Sequence, residues 1–387
     1  MSISDWLYTR LSGFTDKIKK AFSYEENEKV VKDTYSSEDE LSNIRRIALL
    51  NEIMFEAEAA QLNCTYSPYI SADNKENIFA FSHLSVTGFI SKLLAQPRGG
   101  IIAPSKFTKH LNYITDLPEL NPANLENIHG SLVGSSVDYL TRLCNGASTM
   151  DAFSISIKGG NRLLMSVEDK ALKSYIEKSI EHFIEVLTNS ENKLSDDCII
   201  SAIKLVTLDV FARTATHAPL LKSFEDIRPN QETIENIRTM TQRTLLLLNK
   251  HNTILFGLYF IGGYTHIVST ADADYLCDST LLDLKVKKAD FTSSDTAQVL
   301  IYYILAKQAY LANPVEYAEY ANIDTLALYN ARKNILLTYN ITENDNQKIA
   351  GLMLAMGYDV CNLPNCELKQ NIILMQRLNA IKEDQHD

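Results

Sequence analysis

Thr270-Ala-Asp272-Ala-Asp274-Tyr-Leu-Cys-Asp-Ser-Thr-Leu-Leu-Asp283-Leu-Lys285-Val-Lys287-Lys288 is the stretch whose reading decides the fold. Acidic and apolar residues alternate, and an Asp-Leu-Lys triplet follows. Successive side chains of a strand point to opposite faces. Asp283 and Lys285 therefore share one face, while Leu282, Leu284 and Val286 enter a core. Asp278-Ser-Thr280 reads as a turn, and a hairpin closing there brings Asp274 beside Asp283. Two carboxylates and a lysine on one sheet face suit a divalent metal and a positioned water.

The flanks extend the pattern. Ile254 to Ile261 are β-rich, Gly262-Gly263 makes a break, and Tyr264 to Ser269 alternate again. His266 is read there as an ordinary residue of the same sheet. Downstream, Thr292-x-x-Asp295 has the form of a capping box opening a helix of about 18 residues. Val299, Leu300, Tyr303, Ile304 and Ala306 supply its packing stripe. Gln298 and Tyr302 lie one helical turn apart on a single face. Ile323 to Leu328 and Ile335 to Thr338 read as a strand pair.

An Asp, eight residues, Asp-x-Lys, then a helix bearing Gln298-Val-Leu-Ile-Tyr302 resembles the PD-(D/E)XK nuclease superfamily. The resemblance is greatest to the branch holding lambda-type exonucleases and the nuclease domains of bacterial recombination helicases. It covers about residues 260–336 and reaches back more loosely to about 130. It implies an α+β fold with an α-β-β-β-α-β core late in the chain, whose central strands splay apart at the site. Asp274 and Asp283, with the backbone carbonyl of Leu284, would hold Mg²⁺ or Mn²⁺. Asp274, Asp283, Lys285 and Gln298 would be the catalytic set, and Tyr302 would pack or contact the backbone of the nucleic acid. The family places an acidic residue, usually Glu, on a helix before the strands. Asp138 in Gly134-Ser-Ser-Val-Asp138 is the candidate, with a solvated or capping aspartate as the plain alternative. Asp272 shares a strand face with Asp274 and competes with it as first ligand.

The remainder of the chain reads as mostly helical. Helices are expected over 3–22, from the capping pattern Ser37-x-x-Glu40 to about 62, near 80–95, around Gly134 to Leu143, and over 166–189, 196–215 and 231–249. Residues 105–128 read as short helices and connections, and Pro97-Arg-Gly-Gly100 as a plain turn. Asp209 sits among apolar neighbours and reads as a buried anchor. The expected organisation is a helical N-terminal region over 1–128, a nuclease-like domain over 129–340 with a helical insertion at about 150–250, and a helical tail over 341–387.

The 387 residues carry a net charge of −11, which excludes a coating of basic surface. Phosphate binding then depends on a local rim of Lys285, Lys287, Lys288, Arg332 and Lys333. Within it, Lys287 and Lys288 are the expected substrate contacts. The six cysteines are scattered, and Cys361 and Cys366 lack the second pair that a zinc site needs. No apolar run reaches membrane-spanning length and no signal peptide is evident, so a cytoplasmic protein without a membrane span is expected.

The functional expectation is a metal-dependent deoxyribonuclease acting on nucleic acid, DNA favoured over RNA, as an effector in a bacterial or phage defence context. The alternative is a catalytically degenerate scaffold or sensor that binds protein or nucleic acid through its helical half. A protein partner on that half and an oligomeric state are both compatible with the sequence.

Overall fold

The computed structural model describes residues 57–373, except 58, 214–223, 365–368 and 371. The helix expected over 3–22, most of that over 37–62, Cys366 and the end of the tail lie outside the described residues. The fold is mixed α and β, with a mixed sheet in the C-terminal half. Among the described residues, no helix is long and apolar enough to cross a membrane.

Eight strands are described: β1 (Leu84–Ser85), β2 (Thr108–Leu111), β3 (Ile254–Leu258), β4 (Val268–Thr270), β5 (Ala273–Cys277), β6 (Thr280–Lys285), β7 (Thr325–Asn330) and β8 (Ile335–Asn340). Six of them form one sheet in the order β2-β8-β7-β6-β5-β3. The β6–β7 pair is parallel and the other pairs are antiparallel. Parallel neighbours require a crossover, and helix α8 (Ser293–Ala312) supplies it. The described helices include, in chain order, α1 (Val86–Lys92), α2 (Gly130–Cys144), α3 (Ser154–Ser166), α4 (Lys170–Asn189), α5 (Asp196–Val206), α6 (Asp209–Arg213), α7 (Gln231–Leu248), α8 and α9 (Asn346–Ala355).

Strand alternation divides the core into two layers. Leu276, Leu281, Leu326 and Leu328 meet Val299, Leu300 and Ile304 of α8 and the apolar side of α9. Tyr275, Leu282, Leu284 and Tyr329 face the other way, onto α2, α5 and α7. Both faces of the hairpin are therefore covered, and only the strand ends open toward a site.

Several expectations needed correction. Residues 264–270 do not continue the main sheet: β4 pairs in parallel with β1 as a separate two-stranded ribbon. His266 precedes β4 and packs edge-on against His83, with ring centroids 4.7 Å apart. The helix expected near 80–95 shortens to α1, preceded by a 3₁₀ turn at Ile78–Ala80 and by β1. Thr108–Leu111, read as connection, is an edge strand on β8, and all four of its residues are exposed. It precedes residue 129, so the expected division at 128/129 does not separate the strands of the sheet. Asp209 is an anchor: it accepts from the hydroxyls of Tyr139 (2.8 Å) and Ser156 (2.6 Å).

The capping box at the start of α8 is present. The Asp295 carboxylate accepts from the Thr292 backbone N–H (2.6 Å) and hydroxyl (2.8 Å), and pairs with Lys287. Burial pushes the Asp295 carboxyl up, but the bonds from Lys287 and Thr292 outweigh it and hold it below its ordinary value. A carboxyl depressed in the folded state contributes stability above its unfolded pKa, about 4, and loses it as pH falls through the folded value. Asp295→Ala is expected to cost about 1–2 kcal/mol at neutral pH. In urea melts against pH, its difference from wild type should shrink below about pH 4; a constant difference would refute this role.

Candidate active site

The β5–β6 ladder pairs Cys277 with Thr280, Leu276 with Leu281 and Tyr275 with Leu282, and no pair is formed beyond that. At the next step Asp274 turns its side chain into the gap, and its Oδ2 accepts from the Leu284 N–H at 2.7 Å. The strands part at the position where the sequence places Asp274 across from Asp283. Asp278, at the tip of the two-residue turn, has φ +52° and accepts from the Thr253 amide at 3.0 Å, which ties the turn to the start of β3.

On the α8 face of the opened end, Lys285 Nζ lies 2.7 Å from Asp283 Oδ2 and donates to Gln298 Oε1 at 3.0 Å. Asp283 Oδ2 is a buried carboxylate oxygen whose partner is the Lys285 ammonium. Gln298 Nε2 in turn donates to the Tyr302 hydroxyl at 2.7 Å. Helix and strand thus hold the lysine between a carboxylate and an amide. Tyr302 is only 4% exposed and stacks on Phe260 (6.1 Å), so of its two expected roles the structure shows the packing one, in which it also positions Gln298.

Asp138 reaches the site from α2 on the opposite face of the sheet. It accepts from the Tyr275 hydroxyl at 2.8 Å and from Arg142 through both oxygens, at 3.1 and 2.7 Å. Arg142 Nη2 also lies 3.7 Å from Asp274 Oδ1. Gly257 makes room for the guanidinium. The pairs Phe256–Tyr275 and Leu258–Ala273 put it across from Asp274, its φ is +63°, and a Cβ there would sit 3.3 Å from Arg142 Nη1. Asp138 is therefore an ion-pair partner beside the two strand carboxylates. Asp272 precedes β5 and feels Arg142, Asp138 and Arg213. Among the described residues, no group of three or more His, Cys, Asp or Glu side chains is arranged to hold a metal.

Electrostatics set the character of the site. Burial first, then the negative charges of Asp138 and Asp283, push the Asp274 carboxyl well above the usual carboxylate range. Burial also raises Asp283, against the pull of Lys285. For Lys285, burial favours the neutral amine, but Asp283 and Asp274 outweigh it and keep the ammonium charged. The site is crowded with carboxylates that a further cation would relieve.

The expected basic rim is corrected. Lys287 is paired with Asp295, Lys333 with Asp290 (2.5 Å), and Arg332 is buried against Glu126 (2.7 Å). Lys288 is exposed and donates to the Ala123 carbonyl at 3.0 Å. Sequence reading missed Arg142, Tyr275 and Gly257. Only Arg142 carried a signal, as the i+4 partner of Asp138 on one helix face. No protein-family model, curated protein or solved structure matches the chain.

Removing one member of a buried ion pair leaves the other uncompensated, at a cost of about 3–5 kcal/mol. Arg142→Met should destabilise the protein on that scale. Arg142→Met combined with Asp138→Asn should recover part of the loss in a double-mutant cycle of denaturant melts. Additive losses would mean the two side chains are not coupled.

Proposed function

We propose that the chain is a metal-dependent nuclease of the PD-(D/E)XK type that hydrolyses phosphodiester bonds of DNA. The observation that carries the reading is the convergence of Asp274, Asp283, Lys285 and Gln298 where β5 and β6 separate.

The residues fit a hard divalent cation. Asp274 and Asp283 bring two buried carboxylates to one gap, and burial first, with their carboxylate neighbours, raises both. Asp274 and Asp283 would hold Mg²⁺ or Mn²⁺, with the Leu284 carbonyl as a further oxygen donor. When bound, such an ion supplies Lewis acidity at a phosphoryl oxygen and lowers the pKa of water. Lys285 supplies a point charge for a phosphate oxygen, and Gln298 shares with Asp283 in fixing its ammonium. Tyr302 fixes Gln298, and the covered faces of the hairpin keep bulk water from the strand ends.

A second reading is supported by Arg142. Its guanidinium brings positive charge to Asp138 and to within 3.7 Å of Asp274 without a metal, which a catalytically degenerate scaffold requires.

The deciding assay incubates supercoiled and linear DNA, with an RNA control, in Mg²⁺ and in Mn²⁺. Wild type should cut DNA, and Asp283→Ala should abolish cutting while remaining folded. Lys285→Ala should lower turnover roughly 10²–10³-fold yet retain thermal stabilisation by millimolar Mn²⁺. Undiminished cutting by Asp283→Ala, or no cutting and no metal-induced shift in wild type, would sink the assignment.

A further inference from the structure

A cavity of about 350 Å³ lies beside the opened strand ends and is not used by the chemistry above. Its walls come from three places: the β2–β8 edge (Lys109 and Leu337), the segment before α8 (Asp290 and Phe291), and the end of β7 with its turn (Asn330 and Lys333). Phe107 and Ile335 complete an apolar floor. The volume falls at the lower end of the range for small-molecule sites.

Three features define what it would accept. First, its charge is positive. Lys109 and Lys333 line it against the single carboxylate of Asp290. That carboxyl is held below its usual value by Lys333 first, with Lys109 and Lys287 adding to the effect. Second, Asp290 is weakly held: its side chain is 82% exposed and its ion pair is with Lys333. Exposed pairs contribute little, so a doubly charged phosphate can take Lys333 from it. Third, the walls are aromatic. Phe291 is half-buried and Phe107 lies buried against Tyr339, with ring centroids 5.1 Å apart. An aromatic wall with two lysines at the rim suits a flat ring carrying a phosphate.

We propose that this cavity binds one nucleotide, with the base against Phe291 and the phosphate on Lys109 and Lys333. Two lysines repel a metal ion, and the apolar floor gives inorganic phosphate nothing further to bury. The location agrees. Asn330 lines the cavity, pairs in register with Lys285 across the parallel β6–β7 ladder, and donates to the Lys287 carbonyl at 2.9 Å. Neighbouring strands lie about 4.8 Å apart, so a nucleic-acid strand passing Lys285 reaches the cavity within one strand spacing. The proposal rests on the cavity's own residues and does not require that the chain cleave DNA. The nucleotide can come from such a strand or from a free mononucleotide.

The test is isothermal titration of the full chain in low-salt buffer with EDTA, so that binding is read without cleavage. The probes are adenosine 5′-monophosphate, adenosine, ribose 5-phosphate, phenyl phosphate and a short single-stranded oligonucleotide. The mononucleotide should bind saturably, with adenosine, ribose 5-phosphate and phenyl phosphate each weaker by on the order of tenfold or more. Lys109→Ala combined with Lys333→Ala should weaken it by on the order of tenfold. Lys109 is exposed on an edge strand, and an unchanged thermal melt of the double variant controls for folding. Asp290→Asn should strengthen binding by freeing Lys333, and Phe291→Leu should weaken the mononucleotide more than ribose 5-phosphate. If the oligonucleotide binds more tightly and shows the same loss in the double variant, the source is a strand; if the mononucleotide alone binds, the source is a free nucleotide. The proposal fails if wild type binds neither at about 5 mM, if the double variant binds like wild type, or if phenyl phosphate matches the mononucleotide.

Discussion

Everything at the site depends on one backbone event, the end of the β5–β6 ladder after Tyr275 and Leu282. Had pairing continued, Asp274 and Asp283 would be one more cross-strand pair, two like charges directly opposite and destabilising. Instead Asp274 uses a carboxylate oxygen to satisfy the Leu284 amide, a donor that the parted strand would otherwise leave unpaired. A side chain thus replaces a backbone partner, and the gap it opens lets Lys285, Gln298 and Arg142 converge. The cost falls on Asp274, whose carboxyl is buried among negative neighbours. Burial of this kind, tied to named charge partners in a gap between strands, is characteristic of functional sites, although structural ion pairs also produce it.

The acidic chain keeps its cations close. Lys285, Lys287, Arg332 and Lys333 are each held by a carboxylate. These pairs do not all have the same standing. Arg332 and Glu126 are both nearly buried, and separating them would leave two uncompensated charges. Lys333 and Asp290 meet at the surface, where water competes on nearly equal terms. Positive charge that an incoming anion can recruit is therefore located at the cavity mouth more than at Arg332.

Local pattern made the hairpin and α8 legible. Alternation placed Leu282 and Leu284 in the core, the turn fell at Asp278, and Thr292 with Asp295 marked the helix start. Gln298 and Tyr302 followed from the helical repeat and do touch, but burial, invisible to spacing, made Tyr302 a support. What could not be read was set by distant pairing. Thr108–Leu111 has no apolar face because it covers a sheet edge, and only β8 makes it a strand. Val268–Thr270 alternates like its neighbours, yet the break at Gly262 leads it to β1. Arg142 reaches toward Asp274 past Gly257, far along the chain, where a Cβ would crowd the guanidinium at 3.3 Å.

Charge accounting bears on the choice between the two readings of the site. Asp138, Asp272, Asp274 and Asp283 share one neighbourhood with Arg142 and Lys285, and Arg213 acts on both Asp209 and Asp272. Arg142 is already committed to Asp138 through two hydrogen bonds, and its 3.7 Å approach to Asp274 is too long to be a third. Lys285 is committed to Asp283. Asp272, Asp274 and Asp283 are all pushed upward by burial first, and a bound divalent ion would favour their ionised forms. In a scaffold that had lost its metal, a guanidinium substituting for the ion would be expected to engage the strand carboxylates directly. Arg142 engages the helix carboxylate instead and stays 3.7 Å from Asp274 Oδ1, so it bridges neither strand carboxylate, which favours a metal-dependent site over a degenerate one.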